Sequence, residues 1–214
     1  MLICFIFILT ICWISFVVAL THRTLLSPLK FDTNHSQCDD CLHPLSWWQL
    51  IPVIGWLLQK GRCHWCHQPI DAFNPMIELV LATWYIRHFQ FATAIPYLIA
   101  LTSIIIITTT DWYEQWINLV FLSGLLPLRL VQFSDSHWYI LELALVLVLL
   151  WMNFHHQLGI GDTAYPIVLI ITVGLRATCW IILIACLLIL LTHRRQPEPL
   201  PMIPYLNLGL ILVI

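Results

Sequence analysis

From Leu2 to Leu20 the chain carries no acidic or basic side chain. Such a run is about as long as the hydrocarbon core of a bilayer is thick when wound as an α-helix. A segment in lipid must satisfy its own backbone N–H and C=O groups, and for a single segment the helix is the conformation that does so. No basic residue precedes this run and no small-x-small pattern follows it, so it reads as a retained span and not as a cleaved secretory signal.

The same pattern recurs along the chain. Apolar runs fall roughly at Met76–Phe91, Ala94–Thr110, Ile117–Val131, Trp138–Phe154, Ala164–Leu175, Ala177–Leu191 and Ile203–Ile214, several of them short for a full crossing. With 60% hydrophobic and 9% charged residues and a mean hydropathy of +0.88, the chain lies far from a soluble domain. The expectation is an all-α polytopic membrane protein with about eight transmembrane helices. It divides into a first helix over 1–20, a polar, cysteine-rich loop over 21–75 and a membrane-embedded part over 76–214. A formal net charge of −2 without a basic tail gives no sign of nucleic acid as a partner; the bilayer is the partner.

Placement of lysine and arginine sets the orientation. With the amino terminus outside, Arg23, Lys30, Lys60, Arg62, Arg194 and Arg195 are cytoplasmic, and Arg87, Arg129 and Arg176 are external, which obeys the positive-inside bias. The third span then ends inside just before Asp111, and the sixth begins inside just after Asp162, so both aspartates meet the cytoplasmic face. Asp135 reads as an outer-loop residue.

The loop contains two CxxC pairs, Cys38 with Cys41 and Cys63 with Cys66. Two such pairs suit tetrahedral zinc, each wrapping one edge of the ion, and four thiolates leave no open position for a catalytic water, so the zinc is structural. The alternative is two disulfides or four free thiols; a cytosolic loop disfavours lasting disulfides. His43, His64 and His67 could substitute as ligands but read as bystanders, and Cys4, Cys12, Cys179 and Cys186, in apolar runs, are expected to be small buried residues. Between the pairs, Trp47 to Leu58 is apolar but too short to span. It is either the interior of a small zinc-stapled knuckle or an interfacial segment with tryptophans at headgroup depth.

Acidic residues in or beside spans are functional candidates by default, here Glu78, Asp111, Glu114, Glu142 and Asp162. Two carboxylates converging on one pocket can share a proton, one activating water while the other protonates a scissile carbonyl. The plainer readings make Asp162 an N-cap after Gly159 and Gly161, and Asp111 a solvated loop residue.

Taken together, the run CDDCLHPLSWWQLIPVIGWLLQKGRCHWCHQPIDAFNPMIEL, the segment SFVVALTHR at Ser15 to Arg23, the GxGD of Gly159 to Asp162 and PMIPYLNLG at Pro201 to Gly209 resemble the type IV prepilin peptidase family. The resemblance implies Asp111 and Asp162 as the catalytic pair and Cys38, Cys41, Cys63 and Cys66 as a zinc-type tetrad. It implies prepilin or pseudopilin substrates, cut on the cytoplasmic side of the plasma membrane. It also implies methylation of the new amino terminus with S-adenosylmethionine, and a supporting role for Glu78. The compact form is similar to the Gram-positive peptidases that process pseudopilins for competence. Two positions depart from the family pattern: Ala164 stands where a lysine is usual, and Ile117-Asn118 stands where an isoleucine-proline pair is usual. The rivals are a non-catalytic zinc-loop scaffold that binds pseudopilins, and an enzyme whose main activity is methyl transfer.

Overall fold

The computed structural model describes residues 2–26, 36–38, 40–131, 139–155, 159–192 and 201–214. Lys30, Asp135, Arg194 and Arg195 lie outside the described residues. Among the described residues all regular structure is helical, apart from two isolated bridges in the cysteine-rich segment. The chain forms two compact units, Met1–His88 and Phe89–Ile214.

In the first unit α1 (Leu2–Thr21) packs against α3 (Phe73–Arg87). The seam sets Ile14, Val17 and Val18 against Ile77, Leu81, Ala82, Trp84 and Tyr85. Between these helices come a 3-10 turn (Trp47–Leu50) and a short α2 (Ile54–Leu58), flanked by the two cysteine pairs.

The second unit is built from α4 (Ala94–Glu114), α5 (Leu119–Leu122), α6 (Leu128–Val131), α7 (Tyr139–Phe154), α8 (Ile160–Val173), α9 (Leu175–Thr192) and α10 (Ile203–Val213). α10 packs on α9 and α4, and α8 contacts α7, α9, α5 and α6. Gly174, at φ +85°, is the elbow between α8 and α9, a backbone setting that glycine adopts without a Cβ clash.

Three helical segments are long and apolar enough to cross a membrane: Leu2–Leu25, Ala94–Glu114 and Leu175–Thr192. Four shorter apolar segments, Leu119–Val131, Ile140–Phe154, Ile160–Val173 and Ile203–Val213, cover other expected runs. The run expected at Ile117–Val131 is broken into α5, a 3-10 turn (Ser123–Leu125) and α6. That run contains Gly124 and Pro127, which weaken a continuous helix.

Two expected boundaries move. α4 does not stop before Asp111 but continues to Glu114, where Gln115 turns left-handed at φ +51°. α8 starts at Ile160, with Gly159 at the N-cap position, so Asp162 lies in its first turn and does not cap it. An aspartate ends a hydropathy run, but a helix ends only where its backbone groups find other partners.

Candidate functional site

The cysteine cluster belongs to the first unit. Its four sulfurs lie within 4.8 Å of one another, with Cys38 Sγ 3.8 Å from Cys66 Sγ and Cys41 Sγ 4.0 Å from Cys63 Sγ. A tetrahedral shell with metal–sulfur bonds of about 2.3 Å has edges of about 3.8 Å. The four cysteines could therefore hold a metal ion with little adjustment.

The two halves of the cluster are built alike. In each, the first cysteine's carbonyl accepts an amide four residues on, Leu42 N to Cys38 O at 3.0 Å and His67 N to Cys63 O at 3.1 Å. Leu42 and His67 both take positive φ, 56° and 58°, and the flanking bridges are Gln37 with Pro44 and Arg62 with Pro69. A repeated x-C-x-x-C-x-x-P, QCDDCLHP and RCHWCHQP, underlies this symmetry and is visible in the sequence.

Backbone amides of Cys66 and Trp65 are directed at Cys63 and hold its thiol low, at about 7. The Gln68 amide acts to lower Cys66 too, but burial and the neighbouring sulfurs push it up to about 12. Four thiols this close cannot all ionise alone; a dication at their centre removes the conflict. His43 packs on Trp65 at 4.1 Å between ring centroids with the rings tilted by 41°, while His64 meets Trp48 and Trp65 edge-on.

Glu78, also in this unit, is buried in α3. It accepts the Val53 amide at 2.9 Å and a hydrogen bond from Ser15 of α1. Val53 sits at φ +59°, strained for a β-branched residue, so Glu78 fixes a turn that would otherwise relax.

The two aspartates belong to the second unit. Asp111, 6% exposed, lies in the last turn of α4, and its Oδ2 accepts the Ile203 amide of α10 at 2.9 Å. This places the positive amino end of α10 on the carboxylate. Asp162 is exposed in the first turn of α8, and the two carboxylates interact electrostatically. The pair is therefore asymmetric, one group enclosed and one open.

The glycines before Asp162 have separate tasks. A Cβ at Gly159 would come 3.1 Å from the Asp162 carboxylate, and one at Gly161 would come 2.5 Å from Ile117 Cδ1. Gly161 thus lets α8 close on the segment that follows Asp111. Pro166, inside α8, has no N–H, which leaves the Asp162 carbonyl without its usual helical donor.

One helical turn further into the bundle lies a polar layer that sequence reading missed. Tyr165 donates its hydroxyl to Asn207 Oδ1. Asn207 Nδ2 donates to Thr108 Oγ1 at 2.7 Å, and Thr108 donates to the Ile104 carbonyl at 2.6 Å. Thr108 precedes Asp111 on α4, Tyr165 follows Asp162 on α8, and Asn207 follows Ile203 on α10, each by about one turn. The layer ties together the helices that carry the pair.

Both departures from the family pattern have local settings. Asn118 is the N-cap of α5, accepting the Val120 amide at 3.0 Å, a role suited to asparagine at a helix start. Ala164 brings no cation; the α10 amide donates to Asp111, and Asp162 lies at the partly positive amino end of α8. Glu114 is exposed at the end of α4, and Glu142 accepts the Leu175 amide at 3.2 Å, holding the start of α9.

Residues 8–91 match a family described as Bacterial Peptidase A24 N-terminal domain. The chain is similar to proteins named prepilin leader peptidase/N-methyltransferase, which is the name of an enzyme. That of Myxococcus xanthus (strain DK1622) is 28% identical over 116 residues, 53% of this chain and 34% of that protein. That of Bacillus subtilis (strain 168) is 28% identical over 212 residues, 89% of this chain and 83% of that protein. That of Aeromonas salmonicida is 26% identical over 199 residues, 81% of this chain and 68% of that protein. The chain thus spans about a third of the Myxococcus relative and most of the Bacillus one. No solved structure matches.

Proposed function

With these matches supporting the type IV prepilin peptidase family, we propose that the chain is a membrane-embedded aspartic endopeptidase that removes the leader from prepilins or pseudopilins. The observation that carries the reading is that Asp111, buried in the last turn of α4, and Asp162, in the first turn of α8, lie near enough for their charges to act on one another. In the proposed reaction a water lies between the carboxylates. One takes a proton as the water oxygen bonds to the peptide carbonyl carbon, while the other gives its proton to the carbonyl oxygen. Collapse of the tetrahedral intermediate breaks the C–N bond as one carboxyl gives its proton to the leaving amine and the other carboxylate takes the proton of a gem-diol hydroxyl, which leaves the pair with one shared proton. Asp162, the open member, meets the substrate first; Asp111, held by α10, keeps its place through the cycle.

Zinc at Cys38, Cys41, Cys63 and Cys66 serves as a structural staple, since four sulfurs complete a tetrahedral shell. The relatives' shared name also supports methyl transfer from S-adenosylmethionine to the new amino terminus as a second activity. The site faces the cytoplasm at the plasma membrane in this reading, and the proposed substrate is a pseudopilin of the competence type, a choice that rests on the resemblance of the compact chain to the Gram-positive peptidases.

The test is co-expression with a pseudopilin and measurement of the substrate's mass. Loss of the leader with the unmutated chain, abolished by Asp111→Asn and by Asp162→Asn, is expected. A leader retained with the unmutated chain sinks the peptidase reading and favours the non-catalytic scaffold. An added methyl on the cleaved product reports the second activity.

A further inference from the structure

The segment between the two cysteine pairs is inside out. Its buried side holds amides: Gln49, 8% exposed, donates Nε2 to Gln59 Oε1 at 3.0 Å and accepts the Ser46 amide at 2.7 Å, while Gln59 donates to the Gly55 carbonyl at 3.0 Å. Gly55 lies so close to the Gln49 backbone that a Cβ there would overlap its carbonyl. The outer side holds Trp47, 78% exposed, with Leu50, Ile54, Leu57 and Leu58, each about half exposed or more. Ile54, Leu57 and Leu58 stand at i, i+3 and i+4 on one face of α2, and Trp47 and Leu50 are i and i+3 on the 3-10 turn. A segment built to face water does the opposite, with amides out and leucines in.

We propose that this face lies in the lipid interface, so that the metal-stapled segment is an in-plane membrane anchor. No acidic or basic residue occurs from Pro44 to Gln59, and exposed Lys60 and Arg62 follow directly, suitably charged for lipid phosphates. The same unit begins with α1, a candidate span whose Leu2, Ile3, Phe5, Ile8 and Leu9 are exposed, and a crossing by α1 holds the segment near a bilayer. Tryptophan favours headgroup depth. A protein-docking surface would carry several polar groups among its apolar ones to set register, and the side chains named on this face offer one, the Trp47 indole N–H, which also suits headgroup depth. The anchor does not depend on peptidase activity.

The full chain reconstituted in phosphatidylcholine–phosphatidylglycerol vesicles, with a photoactivatable benzophenone amino acid at Trp47 or at Leu57, tests this directly. The same probe at Ile8 in α1 is the lipid control, and at exposed Gln68 the aqueous control. These side chains are exposed, so the probe displaces no core contact. Acyl-chain adducts at Trp47 and Leu57 comparable to Ile8, and lost at Gln68, are expected. Adducts at Ile8 with none at Trp47 or Leu57 would place the face in water and overturn the proposal. Adducts to a co-reconstituted pseudopilin in place of lipid overturn it too, by making the face a substrate dock.

Discussion

Replacing Asn207 with leucine keeps much of its volume and removes both hydrogen bonds of the layer beneath the aspartates. Thr108 retains its bond to Ile104, so the principal casualty is the Tyr165 hydroxyl, fully buried and left without an acceptor. An orphaned buried hydroxyl costs about 1–3 kcal/mol, whereas a single interhelical hydrogen bond in a membrane bundle is worth about 0.6 kcal/mol on average. The orphan therefore dominates, and Asn207→Leu is expected to destabilise the protein by about 2–3 kcal/mol. Tyr165→Phe removes that hydroxyl, so in the double variant the orphan disappears. The two changes should cost less together than the sum of each alone, with a coupling of about 1–2 kcal/mol. Reversible unfolding in mixed micelles, followed by circular dichroism as sodium dodecyl sulfate is added, measures all three variants. Because Asn207 sits one turn from the Ile203 amide on Asp111, kcat should fall in Asn207→Leu with KM little changed. Additivity within about 0.3 kcal/mol would refute the reasoning, since residues that share no bond add to within that margin.

Gly161→Val should drive a side chain into Ile117 and cost about 1–3 kcal/mol by overpacking, and Ile117→Ala in the same chain should return part of the lost cleavage rate. Cys63→Ser should strip the metal and lower the amount of folded protein, read by elemental analysis alongside expression level; normal amounts of both would count against a structural site. Glu78→Ala leaves the Val53 amide and Ser15 without their acceptor and should cost about 1–3 kcal/mol in the same unfolding assay. Glu78→Gln, which still accepts, should recover most of it, and equal losses would show that charge and not hydrogen bonding is what matters there.

What could be read from the chain alone was whatever is local. The CxxC pairs announce a cluster of four cysteines that could hold a metal, because ligand spacing within a knuckle is a property of a few residues, and the repeated proline after each pair was there to be seen. Five acidic residues stood out because a carboxylate in an apolar chain is costly wherever it falls, and the family resemblance picked Asp111 and Asp162 from among them. The helix ends around them were misjudged, since hydropathy drops at Asp111 while the backbone stays helical until Gln115. The Tyr165–Asn207–Thr108 layer was not legible, because its members lie 42 and 99 residues apart and none has a motif of its own. Whether Trp47 to Leu58 was an interior or a surface could not be settled by composition, as both are apolar; only the direction in which Gln49 and Leu57 point distinguishes them.

The central claim is that Asp111 and Asp162 act as one hydrolytic pair. Purified protein in lipid vesicles, given a pseudopilin and followed by intact-mass spectrometry, tests it most directly. The account predicts a product lighter by the leader alone, formed by the unmutated chain and by Glu114→Gln, and absent with either Asp111→Asn or Asp162→Asn. Undiminished cleavage by either asparagine variant would contradict it.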